Sequence, residues 1–319
     1  MMRLTALLLL PLSACLVNLD FVQYNPRHCS AITAADCEDK EEEIDKICAK
    51  CEDDYNFTEV GLTGEVTRLE LQLDPDPATG DAVVNDAYFV AGTGGELANV
   101  TIMFSHGNYG GIEHYLHLLE DVYPSGANLF IWEYRGYGKS STQSTPDERL
   151  FMADSMAAYD LLVSELNSRG LPVDQVVHFG MSLGGIASIE VARQHPGKAV
   201  ILQSSFPGLR LFAEDSTGTG LPVSFLASGG YDNFAKMPEL TSPVLFIHGE
   251  ADTFIRVDHS ERLQSQLGEG VDSCLWRIAG ANHGISDGPS AIAGKDVFAQ
   301  TIKDWLINPK ACPENITEP

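Results

Sequence analysis

Basic residues are scarce in this chain of 319 residues: 20 Lys and Arg stand against 45 Asp and Glu, for a net charge of −25. A surface of that sign repels phosphate backbones and anionic headgroups, which argues against nucleic acid as a partner and against electrostatic docking on an anionic bilayer. Long apolar runs are also missing. Beyond the N-terminus there is no stretch of about 18 apolar residues, so nothing downstream reads as a membrane span. No internal repeat is visible. Metal-binding patterns are absent as well. Cys48-Ala49-Lys50-Cys51 has no second C-x-x-C and no histidine set beyond His28, so structural disulfides are a better reading than zinc. The run Glu38-Asp39-Lys40-Glu41-Glu42-Glu43 lacks the alternating ligands and central glycine of a calcium loop and reads as a solvated helix face. His114 and His117 lie at i, i+3 on an expected helix with no third ligand in view, and read as an exposed helix face. No metal and no cofactor is expected.

What is present begins at the N-terminus. Arg3 gives a short positive region and Leu4 onward an apolar one, too short to cross a membrane, which reads as an export signal over residues 1–14. Its end, Leu12-Ser13-Ala14-Cys15, resembles the bacterial lipobox. That resemblance implies lipidation at Cys15 and a chain tethered to the cell envelope without spanning it. An ordinary signal cleaved nearby is the alternative. Six further cysteines follow: Cys29, Cys37, Cys48, Cys51, Cys274 and Cys312. An even number in an exported chain points to disulfides, with 15 possible connectivities that sequence does not choose among. Residues 15–60 hold four of the six and read as a disulfide-stapled extension.

From Val60 the pattern changes to alternating strands and helices. Strands are expected at Val66 to Leu73, Ala87 to Ala91, Val100 to Phe104, Leu129 to Trp132, Val176 to Phe179, Ala199 to Leu202, Val244 to Ile247 and Cys274 to Ile278. Helices are expected at Ile112 to Val122, Pro146 to Asn167, Ile186 to Ala192, Ser260 to Leu267 and Ala291 to Trp305. Such alternation implies a mostly parallel sheet covered by helices on both faces, with functional groups at the carboxyl ends of its strands.

The chemistry centres on Val176-Val177-His178-Phe179-Gly180-Met181-Ser182-Leu183-Gly184-Gly185. A buried β-branched run enters G-x-S-x-G, and a helical apolar pattern leaves it, as in a nucleophile elbow. Gly180 and Gly184 suit a turn that leaves no room for a Cβ. A serine hydroxyl needs a base, an acid that orients the base, and donors for an oxyanion. His283, in Gly280-Ala281-Asn282-His283-Gly284, is the base candidate. Asp252, in His248-Gly249-Glu250-Ala251-Asp252, is the acid candidate, with Glu250 as nearest rival and Asp287 as a poorer one. The oxyanion candidates are the backbone N–H of Leu183 and one from the loop Ser105-His106-Gly107-Asn108-Tyr109-Gly110-Gly111, at Asn108 with Tyr109 as rival.

Ser105-His106-Gly107-Asn108, Tyr134-Arg135-Gly136-Tyr137-Gly138-Lys139-Ser140, the elbow, His248-Gly249-Glu250-Ala251-Asp252 and Asn282-His283-Gly284 together resemble the α/β-hydrolase-fold serine hydrolases. The branch they are most similar to holds lysophospholipid and monoacylglycerol lipases and protein depalmitoylases. The resemblance covers roughly residues 65 to 308. It implies an α/β-hydrolase domain over 61–310, with a small cap within about 206–241 and a tail over 311–319. It also implies a Ser182-His283-Asp252 triad: Ser182 attacks an acyl carbonyl, His283 takes its proton, Asp252 orients His283, and water releases the acyl enzyme. Glu133 stands where that family often has Asp, a departure that by the resemblance is not expected to matter for catalysis. The resemblance does not cover the cysteine-rich extension, and a disulfide from Cys274 or Cys312 to that extension is an expectation.

Apolar cap residues, among them Phe206, Leu209, Leu211, Phe212, Leu221, Phe225, Leu226 and Tyr231, suit an acyl chain. The expected substrate is therefore a small-molecule acyl ester or thioester, lipid-like in character. A serine peptidase of the same fold is the second reading, and a non-catalytic lipid-anchored binding module the third. A serine rather than an aspartate at the elbow disfavours a dehalogenase.

Overall fold

The computed structural model describes residues 28–29, 55–209, 211 and 230–318. The signal segment, Cys15, Cys37, Cys48, Cys51, the acidic run and the cap residues Phe212, Leu221, Phe225 and Leu226 lie outside the described residues.

Eight strands form a single sheet: β1 Val66–Leu73, β2 Val83–Val90, β3 Thr101–Ser105, β4 Asn128–Trp132, β5 Val176–Met181, β6 Ala199–Gln203, β7 Val244–Gly249 and β8 Ser273–Ile278. Their order is β1-β2-β4-β3-β5-β6-β7-β8. The first two pairings, β1 with β2 and β2 with β4, are antiparallel. All later pairings are parallel. The inner parallel strands are buried along their whole length because helices cover both faces, while β8, at one edge, alternates. Likewise β1, at the other edge, alternates, burying Leu71 and Leu73 and exposing Val66, as an edge strand does.

The helices are α1 Ile112–Val122, α2 Glu148–Arg169, α3 Gly184–Gln194, α4 Asn233–Lys236, α5 Asp258–Gln264, α6 Pro289–Ala293 and α7 Lys295–Ile307. Helices α1 and α7 pack on one face, where Leu116, Leu119, Phe298 and Ile302 meet Ile102, Phe104, Ile131 and Phe179. Helices α2 and α3 cover the other, where Phe151, Leu162, Ile186 and Ala187 meet Met103, Phe130 and Trp132. Tyr55, Phe57, Val60 and Leu62 are buried in the first of these layers, so the core takes in residues that precede position 61.

Several element boundaries differ from those expected, three of them for a clear local reason. Strand β2 starts four residues early, because Val83 to Asp86 pair with β1 despite the weak strand propensity of Asn85 and Asp86. Helix α2 starts at Glu148: Asp147 is its cap, its side chain accepting the Leu150 N–H at 2.7 Å, and Pro146 stays outside. The expected final helix over 291–305 is two helices, broken at Gly294, whose φ of 82° is a left-handed conformation that ends α6.

The cystine is also different. Cys274 and Cys312 bond to each other, which corrects the expectation of a bridge from either one to the N-terminal extension. The C-terminal tail runs back along β8. Ile316 pairs with Ile278, its N–H donates to the Arg277 carbonyl, and the Arg277 N–H donates to Asn315 Oδ1. That return places Cys312 beside Cys274, with Cα atoms 5.3 Å apart.

Candidate active site

β5 is buried through Met181, and the chain then turns sharply into α3. A Cβ at Gly180 would sit 2.4 Å from the Gly184 carbonyl oxygen, and one at Gly184 would sit 1.9 Å from that of Ser105. Side chains are excluded at both positions, so the turn can close tightly. Ser182 at its apex has φ 52°, a strained value for a residue with a side chain. The strain is held by the Ser182 N–H bond to the Gln203 carbonyl, at 2.8 Å.

Asp252 follows β7, and His283 follows β8. His283 Nε2 lies 3.0 Å from Ser182 Oγ, and His283 Nδ1 lies 2.9 Å from Asp252 Oδ2. A carboxylate only accepts, so Nδ1 carries the proton and Nε2 is left to accept from the Ser182 hydroxyl. Asp252 is almost wholly buried. Its Oδ1 accepts the Phe254 and Ile255 N–H groups at 3.0 and 2.8 Å. Its Oδ2 also has His248 Nε2 at 3.4 Å. Burial alone would push this carboxyl up. The hydrogen bonds from His248, His283 and the Ile255 N–H outweigh burial and hold it well below the usual carboxylate range. It therefore stays an anion next to the imidazole. His248 escaped sequence reasoning. It is fixed by donating Nε2–H to the Ile255 carbonyl and accepting at Nδ1 from Ser260, both at 2.7 Å. The signal for it was its place four residues before Asp252.

The rival acids sit elsewhere. Glu250 is turned toward Arg277, 3.8 Å away, and Asp287 lies against Gly284.

Leu183 caps the N-terminus of α3 and is buried. Its N–H stands where the helix dipole is positive. The loop after β3 approaches the same point, because the elbow's Gly184 touches Ser105 and His106. Within that loop the Tyr109 N–H donates to Tyr115 Oη at 3.3 Å, while Asn108 Oδ1 accepts from Tyr137 Oη at 2.6 Å.

Beside Ser182 opens a cavity of about 380 Å³. Met181, Tyr109, Tyr115, Phe254 and Ile285 give it apolar walls, and His283 and Asn108 stand at its edge. Phe254 is 58% exposed and its ring lies 4.9 Å from that of His283. His114 also lines this cavity. Its side chain is buried and pairs with buried Glu113 at 2.9 Å, which corrects the exposed-face reading for His114. The reading fits His117, which is exposed. The pair failed as a pair because α1 turns only one of the two outward. Among the described residues no group of three or more His, Cys, Asp or Glu could hold a metal ion, and no helix is long and apolar enough to cross a membrane.

Known proteins share this framework. Residues 98–217 match the family model Hydrolase_4, serine aminopeptidase S33. The chain is 30% identical over 190 residues to the alpha/beta hydrolase domain-containing protein aho-3 of Caenorhabditis elegans, across 58% of this chain and 53% of that protein. It is 31% identical over 191 residues to alpha/beta hydrolase domain-containing protein 17B of Homo sapiens, across 58% of this chain and 61% of that one. The matches thus span about half to three fifths of these curated relatives. Among solved structures, the Pyrococcus furiosus esterase Pf2001 superposes with a TM-score of 0.58 at 16% identity, covering 80% of this chain and 96% of that one. The Pyrococcus horikoshii acylaminoacyl peptidase gives 0.57 at 15% identity, over 80% and 43%. The fold is the α/β-hydrolase fold.

Proposed function

We propose that this protein is a serine hydrolase that cleaves an acyl ester or thioester through Ser182, His283 and Asp252. The observation that carries the reading is His283 itself, with one ring nitrogen 3.0 Å from Ser182 Oγ and the other 2.9 Å from buried Asp252. In this reading Ser182 Oγ attacks the acyl carbonyl as its proton passes to His283 Nε2. The resulting oxyanion is held by the N–H groups of Leu183 and Asn108. Asn108 is favoured over Tyr109 because the Tyr109 N–H already serves Tyr115. His283 then gives its proton to the departing alcohol or thiol. A water attacks the acyl enzyme with His283 as base again, releasing the acid and restoring Ser182. The anionic Asp252 stabilises the imidazolium formed at each step.

The apolar cavity and exposed Phe254 support an acyl group as the bound moiety. The serine aminopeptidase description of the matching model favours testing peptides as the second class. Rates on p-nitrophenyl esters of increasing chain length, acyl thioesters and aminoacyl anilides decide between them. Ester or thioester turnover with a chain-length optimum is expected. Anilide turnover alone would replace the reading by a peptidase.

Export and lipid anchoring at Cys15 belong to the same proposal. Its support is the disulfide state of Cys29 and the Cys274–Cys312 cystine, which suit an oxidising compartment. Metabolic labelling with an alkyne fatty acid that is lost in Cys15→Ser is the expected result. Labelling unchanged by that substitution would remove Cys15 as the anchor.

A further inference from the structure

The loop from Ser105 to Gly111 is held from beneath by buried acids that the chemistry above does not use. At its start, His106 is completely buried and stacked on Tyr134, ring centroids 3.6 Å apart. His106 Nδ1–H donates to the Gly107 carbonyl at 2.8 Å. His106 Nε2 lies 3.5 Å from Glu133 Oε1, and neither atom has a closer polar partner. At the loop's end, Glu133 Oε2 accepts the Ile112 N–H at 3.3 Å, and Glu113 Oε1 accepts the Gly111 N–H at 3.2 Å. The two carboxyls flank Gly111: a Cβ there would lie 2.7 Å from Glu133 Oε2, 2.9 Å from Glu113 Oε2 and 2.7 Å from Gly138 Cα. Glu133 thus touches both ends of the loop.

Two acids this close and this dry do not both ionise readily. Burial raises Glu133 above the ordinary carboxyl range, and the neighbouring Glu113 adds to the rise. Burial acts on Glu113 too, but the hydrogen bond and charge of His114 pull it the other way, to below its ordinary value. A proton on Glu133 Oε1 would lie on the line to His106 Nε2.

A further hydrogen bond to the Glu133 carboxylate comes from the N-terminal segment. Tyr55 Oη donates to Glu133 Oε2 at 3.2 Å. The Tyr55 ring packs edge-on against Tyr88, and Lys139 Nζ sits 4.2 Å from its centre. A second stretch of the same segment holds the turn that follows Glu133. The Cys29 N–H donates to the Gly138 carbonyl at 2.8 Å, and His28 Nε2 donates to that of Ser140 at 2.6 Å. That turn is the one from which Tyr137 reaches Asn108 and Tyr134 reaches the His106 carbonyl, at 2.6 and 2.7 Å.

We infer that Glu133 and Tyr55 are positioning residues for acyl transfer. Glu133 joins the N-terminal segment to both ends of the loop that presents the Asn108 N–H, so the chain before residue 60 is part of what sets the rate of the chemical step. The inference rests on the hydrolase reading given above. Neither residue lines the cavity, so losing the link reaches the substrate only through the loop, where it displaces an oxyanion donor. A donor displaced by about 1 Å costs on the order of 10²-fold in rate.

The test compares wild type, Ser182→Ala, Glu133→Gln and Tyr55→Phe in the oxidised chain that retains residues 16–319. The readouts are kcat and KM on one p-nitrophenyl ester, with kcat expressed per site titrated by a fluorophosphonate. Glu133→Gln keeps the shape but not the acid, and Tyr55→Phe removes only the hydroxyl, so it decides if the first variant does not fold. The expected result is kcat lower by about 10- to 100-fold per titrated site, a larger factor than any rise in KM. Values of kcat per site within about twofold of wild type in folded Tyr55→Phe and Glu133→Gln would overturn the inference and leave the hydrolase reading standing. Wild type without Ser182-dependent turnover would overturn both.

Discussion

His283 Nε2 lies 3.0 Å from Ser182 Oγ although 101 residues separate them in the chain. Ser182 leaves the sheet at β5 and His283 at the edge strand β8, three strands away. The gap is bridged because the loop after β8 folds back over Asp252, at the end of β7. On the proposed reading, activity depends on how that loop is held, and the bond from His283 to Asp252 is one of its holds.

Replacing Asp252 with Asn leaves a side chain of the same shape but removes the anion. His283 Nδ1–H then has no carboxylate acceptor, and the tautomer that lets Nε2 accept from Ser182 is no longer favoured. The expected loss in kcat is about 10³- to 10⁴-fold with little change in KM, read by steady-state kinetics on the best ester. An equal fall in kcat and rise in KM would mean that Asp252 acts on substrate binding instead.

Gly184→Ala introduces a methyl group 1.9 Å from the Ser105 carbonyl oxygen, where backbone must move. The displacement strikes the elbow and the start of the oxyanion loop at once. Overpacking of this kind costs about 1–3 kcal/mol, measurable as a lower midpoint in urea, and it should reduce activity in the fraction that stays folded. Unchanged stability and activity would show that the elbow is looser than described.

His178, within β5, is buried with Nε2–H donated to the His195 carbonyl at 3.0 Å. Burial, the largest influence, lowers its pKa from 6.5 to about 4. The unfolded chain therefore binds a proton between about pH 6.5 and pH 4 that the folded chain does not, and stability falls as the pH is lowered through that window. The contribution is about 3 kcal/mol over the whole window. In His178→Gln, which keeps a donor toward His195, the fall should be shallower by that amount. Parallel stability curves for the two proteins would contradict the assignment.

The Cys274–Cys312 cystine closes a loop with a sequence separation of 38 and ties the tail to β8. Replacing both cysteines by serine should lower stability by about 2–4 kcal/mol. The effect should appear in urea titrations without reductant and vanish when both proteins are measured in reductant. Equal stability in both conditions would mean that the tail is held by its β8 pairing alone.

Much of this was legible in the chain. Short apolar runs, mostly of four or five residues, and alternation over Val66 to Leu73 marked the strands, and Gly180, Gly184, Asp252 and His283 stood at strand ends, where loop composition is a readable signal. Less legible was whatever depends on a partner from a distant element. Glu133 reads as a departure of one methylene from Asp, and nothing local says that its extra reach meets Tyr55 and Ile112. His114 and His117 are alike in sequence, and only the packing of α1 separates a buried residue from an exposed one. The break at Gly294 was within reach, since glycine in a left-handed conformation is a common helix end.

The most direct measurement is intact-mass analysis after a fluorophosphonate is added to wild type and to Ser182→Ala, paired with ester turnover by each. One adduct per chain is expected on wild type, mapped to the peptide containing Ser182, with loss of turnover on labelling. Ser182→Ala should show neither adduct nor turnover. A folded wild type that takes no label, or a Ser182→Ala that turns over ester as fast as wild type, would contradict Ser182 as the nucleophile.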